Sequence, residues 1–103
     1  MKSIKQRRFE VVEYNLQHEQ KILFNEIRAF YNNVELAYEY KDAPTLKRLS
    51  CKGKDLLQWA AALLKAFKKL YYSDNGKKYL LDGTAVIDNL SDVYKNLLDV
   101  VYF

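Results

Sequence analysis

A chain of 103 residues, half of them apolar and 15% aromatic, is long enough for one folded domain and too short for two. Seventeen lysines and arginines stand against thirteen acidic residues, a formal charge of +4 that favours anionic partners over cationic ones. One cysteine, Cys51, excludes an internal disulfide and a cysteine-rich zinc site, while three glycines and one proline leave little turn chemistry for a β-rich fold.

The first real breaker is Asp42-Ala43-Pro44-Thr45, so everything before it reads as one long helix or two collinear ones. Ser3 followed by Gln6 has the form of a capping box at its start; Asn32 followed by Glu35 repeats the signal, so an unbroken helix and a break or kink near Asn32-Asn33 both stay open. Its apolar residues fall on two faces. Val12, Leu16, Leu23, Ile27, Phe30, Val34 and Tyr38 make a broad main stripe; Val11, His18, Ile22, Ala29, Leu36 and Tyr40 make a narrower second one. Two apolar faces ask for two partner surfaces, and the second stripe is assigned to self-association in a homodimer.

The second helix is expected to start after Asp42, whose carboxylate caps it, with Pro44 in the first turn, and to run to about Tyr72. Leu46, Leu49, Gly53, Leu56, Ala60, Leu63, Phe67 and Leu70 step three, four, three, four along one face. Because the phase is unchanged across Gly53, that glycine reads as a close-packing point inside the helix. Ser73-Asp74-Asn75-Gly76 ends it, either as a helix terminator or as a hairpin turn between 70–73 and 77–81. Asp82-Gly83-Thr84 opens a third helix, with Val86, Leu90, Val93, Leu97 and Val100 on one face and Ile87, Tyr94 and Val101 beside them. The fold class is therefore all-α: two long helices in a hairpin plus a shorter C-terminal helix in one domain, completed by dimerisation.

The net charge hides a strong asymmetry. Residues 1–40 sum to zero, residues 41–78 carry ten basic groups against Asp42, Asp55 and Asp74 for a net of +7, and residues 79–103 sum to −3. Lys47, Arg48, Lys54, Lys68 and Lys69 fall on one outward face of the second helix, with Ala61 and Ala62 between them. The densest cluster interleaves Lys65, Lys68, Lys69, Lys77 and Lys78 with Phe67, Tyr71, Tyr72 and Tyr79. Lysines neutralise phosphates and exposed tyrosines stack on bases, so nucleic acid is one expected target. An acidic protein surface is equally attracted. Phe67 and Tyr71 lie on the apolar stripe and belong to the core; Tyr72 and Tyr79 do not.

Other constellations fare worse. Thr45 to Cys51, a glycine turn, a helix from Lys54 and a lysine-rich hairpin have the order of a winged helix-turn-helix. Leu56, Leu57, Trp59, Leu63 and Leu64 leave such a recognition helix little polar surface for base edges. His18 is the one histidine, and neighbouring Glu19 points about 100° around the helix, so no histidine metal site forms. Gly53, Gly76 and Gly83 are too far apart for a phosphate loop, and Ala85 stands where a calcium loop after Asp74 needs glutamate. No enzymatic activity, metal or cofactor is expected. The longest apolar run, Trp59 to Leu64, is six residues, and Glu10 and Glu13 follow the basic start, so neither a membrane span nor a secretory leader is expected and the protein reads as cytoplasmic.

In its long-long-short layout the chain resembles helical chorismate mutases, but the inward stripes are apolar where a dicarboxylate site would need basic groups. In size and charge it is similar to bacteriocin immunity proteins, which implies a small protein-binding bundle. The reading is a non-enzymatic binding protein, with Lys47, Arg48, Lys54, Lys65, Lys68, Lys69, Tyr72, Lys77, Lys78 and Tyr79 as its recognition surface. The expected partner is an acidic protein, as for inhibitors and regulators from mobile elements, with nucleic acid second.

Overall fold

The computed structural model describes residues 3–72 and 80–102, which form three helices: α1 (Ile4–Glu39), α2 (Ala43–Tyr71) and α3 (Leu80–Val101). They make an elongated body of 58 × 19 × 16 Å. Its radius of gyration, 16.7 Å, exceeds the ~13 Å of a compact chain of this length, so the molecule is a rod. α2 is the central element and packs against both α1 and α3.

The helix ends follow the capping chemistry. Ser3 is the N-cap of α1, its hydroxyl accepting from the Gln6 N–H at 3.1 Å. α1 then continues unbroken past Asn32 and Asn33, so of the two open alternatives the single long helix is the one that forms. Both asparagines face solvent while Phe30, Val34 and Ala37 keep the helix seated, and packing overrides the local cap signal. At the other end Lys41 adopts φ 53°, and the Asp42 N–H donates to the Ala37 carbonyl while the Lys41 N–H donates to that of Tyr38. That is a Schellman closure with lysine at the left-handed position glycine usually takes. Asp42 then caps α2, accepting from the Thr45 N–H and from its hydroxyl at 2.6 Å, with Pro44 in the first turn. These bonds hold the Asp42 carboxyl below its ordinary range.

The core runs on seven-residue repeats. In α2 the buried Gly53, Leu56, Ala60, Leu63 and Phe67 fall on the three-four stripe read from the sequence, joined by Leu57 and Tyr71. In α1 the seam is Phe9, Leu16, Leu23, Phe30 and Ala37, each seven residues from the next, with Ile27 between. A strict seven-residue repeat drifts about 20° per heptad on a straight helix and is kept in register by left-handed supercoiling. This corrects the main stripe: Val12 is 45% and Tyr38 59% exposed, because a fixed wheel places them inward and the winding seam leaves them at its edges. α3 shows the same one-residue adjustment. Its buried positions are Ile87, Leu90 and Leu97, with Val101 packed against them, while Val100 is exposed.

Gly53 lies inside α2 and leaves no turn there, which removes the winged helix-turn-helix arrangement. A Cβ built on it would stand 2.8 Å from Phe30 Cζ of α1 and 2.6 Å from Val101 Cγ2 of α3. All three helices therefore meet at the one α2 position with no side chain. Leu80 and Leu81 are already helical, so Asp82-Gly83-Thr84 lies within α3 and does not cap it. The choice between terminator and hairpin turn at Asn75-Gly76 falls outside the described residues, but Leu70, Tyr71, Leu80 and Leu81, at the outer ends of that hairpin, are helical.

Candidate partner-binding surface

On a helix of about 100° per residue, Lys47, Lys54, Lys65, Lys68, Lys69 and Tyr72 fall within an arc of about 100°, on the side of α2 opposite its buried seam. All six are exposed, Tyr72 by 52%. Among the described residues none of the five lysines makes an ion pair or a side-chain hydrogen bond. Lys65, Lys68 and Lys69 are neighbours at helical spacing and repel one another by a few tenths of a kcal/mol per pair. Lys68 and Lys69 recover some of this in the last turn of α2, where the helix dipole favours cations; Lys47 and Lys54 do not.

Two lysine patches result, Lys47 with Lys54 and Lys65 with Lys68 and Lys69. Between Lys54 and Lys65 lie about 16 Å of helix occupied on this side by Gln58, Ala61 and Ala62, all exposed. The face carries positive charge at both ends and uncharged side chains between them. Cys51, exposed and reduced, sits on the same arc between Lys47 and Lys54.

Arg48 departs from this set. It lies about 60° outside the arc, and its Nη2 donates to the Thr45 hydroxyl at 3.2 Å, which in turn donates to Asp42. Its guanidinium is part of the α2 cap. Lys52 is also diverted, pairing with Glu26 of α1 at 3.5 Å on the exposed flank. Lys77, Lys78 and Tyr79 lie outside the described residues. Phe67 and Tyr71 are fully buried, as their place on the stripe requires.

The sequence reading passed over the residues that set the register between α1 and α2. Trp59 Nε1 donates to Glu19 and the Tyr71 hydroxyl donates to Glu13, both at 2.7 Å. With Glu26 these carboxylates recur at about one per heptad beside the α1 seam, the signal that distinguishes them from solvated charge. Tyr71 is packed edge-on against Phe9, with ring centroids 6.0 Å apart, and stacks on Phe67 at 5.9 Å. The lysine face is thus backed by a helix whose inner side is rigidly located.

The second α1 stripe is open to solvent: Val11 is 59%, Ile22 43% and Leu36 49% exposed, and His18 and Ala29 are exposed beside them. His18 stacks on Tyr14 with the rings 5° from parallel. Among the described residues no group of histidine, cysteine and carboxylate side chains is arranged to hold a metal ion, and no helix is long and apolar enough to cross a membrane. Comparison with protein-family models, curated proteins and solved structures finds no match to this chain.

Proposed function

We propose that this chain is a small, non-enzymatic, cytoplasmic binding protein whose α2 lysine face engages an acidic protein surface, and that it self-associates through the outer stripe of α1. One observation carries the first half: five exposed lysines share one arc of a helix without acidic partners among the described residues, and Lys65 repels Lys68 and Lys69 at helical spacing. A helix kept only for packing gains nothing from that arrangement. The uncharged stretch at Gln58, Ala61 and Ala62 between the two lysine patches suits a partner surface bearing carboxylates at two places, where charge sets encounter rate and orientation.

The test uses the one native thiol. Affinity capture should recover one stoichiometric protein, and its binding should slow alkylation of Cys51. Reversing Lys47, Lys54, Lys65, Lys68 and Lys69 to glutamate should abolish both effects. Recovery of scattered acidic proteins, with Cys51 reacting at an unchanged rate, would count against the reading.

The exposed Tyr72 beside Lys68 and Lys69 supports nucleic acid as a second reading, since an aromatic ring next to cations is a stacking platform. It requires a mobility shift whose affinity falls steeply with salt. Absence of a shift at low salt, with single and double strands alike, would leave the protein partner alone.

A further inference from the structure

The outer stripe of α1 repeats with the spacing of a coiled-coil seam. Ile4, Val11 and His18 are seven apart, as are Ile22, Ala29 and Leu36, and four residues separate the two sets. At about 100° per residue all six stay within a 40° strip along the length of the helix. All six are exposed. The helix already uses its opposite side for α2 and α3, so this strip is a second seam on the same rod.

The strip is also symmetric about Gln20: Ile4 and Leu36 stand at equal distances from it, as do Val11 and Ala29, and His18 and Ile22. An isologous contact between two copies has this property, because each residue must face its counterpart in reverse order. Charge points the same way. Lys5, Arg7 and Arg8 occupy the first turns of α1 and Glu35 and Glu39 the last, so antiparallel copies place basic ends beside acidic ones. Parallel copies would bring Arg7 and Arg8 against the same pair. Antiparallel helix dipoles add to the preference.

We infer that the outer face of α1 pairs with the same face of a second copy of this chain, antiparallel, about a two-fold axis at the level of Gln20. The inference rests on the self-association proposed above and is independent of the lysine face. The two α2 helices then lie on opposite sides of the dimer, each with its lysines outward.

Spin labels on Cys51→Ser protein decide the geometry. In an antiparallel pair the separation of equivalent positions along the axis grows by about 3 Å per residue from Gln20, twice the helical rise. Labels at Arg8→Cys, Asn15→Cys and Asn33→Cys should therefore give axial separations of about 36, 15 and 39 Å. Three equal short distances would mean a parallel pair and would overturn the inference. So would a mass of 12.2 kDa, the single chain, by light scattering at 0.1 mM protein (about 10⁻⁴ M, tight enough to populate a dimer of micromolar Kd). Ile22→Asp should convert the dimer to monomer with its helical circular dichroism intact; a dimer that survives this substitution would place the contact elsewhere. Loss of the distances with partner capture intact removes the pairing alone. Loss of capture with the distances intact removes the lysine face and supports the pairing.

Discussion

The two long helices solve the same packing problem and differ in what they leave outside. Each lays a seven-residue seam into the core, Phe9 to Ala37 in α1 and Gly53 to Phe67 in α2. α2 turns lysines to solvent on its outer side; α1 turns Val11, Ile22 and Leu36. Burial leaves no large apolar side chain of α2 exposed and leaves several of α1 exposed. The contrast teaches that the charge asymmetry and the surplus exposed hydrophobicity belong to different helices.

Substitutions sharpen or break that contrast. The largest effect belongs to the inner side of α2: Phe67→Ala, at a fully buried ring stacked on Tyr71, should cost about 4 kcal/mol in urea unfolding. A loss below about 1 kcal/mol would mean that the seam is not the core. Gly53→Ala should destabilise by about 1–2 kcal/mol, because the new methyl meets Phe30 and Val101 below 3 Å. The sign is the test, since at an open helical position the same change stabilises by about 1 kcal/mol. Tyr71→Phe should cost about 1 kcal/mol by removing the hydrogen bond to Glu13, and a double-mutant cycle with Glu13→Gln should show coupling between the two sites.

Smaller effects come from the turn and from the outer faces. Lys41→Gly should raise stability by about 0.5–1 kcal/mol, read as a higher thermal midpoint, by relieving the left-handed conformation at the α1 terminus. Replacing Lys47, Lys54 and Lys65 singly by glutamine should move stability by less than about 0.5 kcal/mol while weakening partner binding. A comparable stability loss from any of them would erase the distinction between the two sides of α2.

How much of this was legible depends on the kind of signal. Asp42 and Pro44 fix the start of α2 because capping and ring geometry are local, and both sit where the sequence placed them. Gly53 was legible as a packing point because the apolar phase crosses it unchanged. The α1 seam was read only in part: Phe9 lies about 20° from Leu16 on a plain wheel and was passed over, while Ala37 lies about 60° from Leu16 because a seven-residue repeat drifts about 20° per heptad. Lys41 carried no signal, because its left-handed backbone is imposed by the closing hydrogen bonds at Ala37 and Tyr38 and not by its own preference. That Lys47, Lys54, Lys65, Lys68, Lys69 and Tyr72 share one outward side of α2 was legible from helical spacing, and all six are exposed. The bond from the Arg48 guanidinium to Thr45 was not legible, because only the geometry shows which way that side chain turns. Glu13 and Glu19 went unread because their partners lie 58 and 40 residues away.

The central position of α2 has a kinetic consequence. Each helix packs chiefly on the one next to it in sequence, α1 on α2 and α2 on α3, so the chain never has to join distant segments before its neighbours are in place. Topologies of this kind fold in microseconds to milliseconds. The closure at Lys41 joins α1 to α2 through a short connection, a loop with a small closure cost, and Gly53, whose close neighbours are Phe30 and Val101, is the position where all three helices meet.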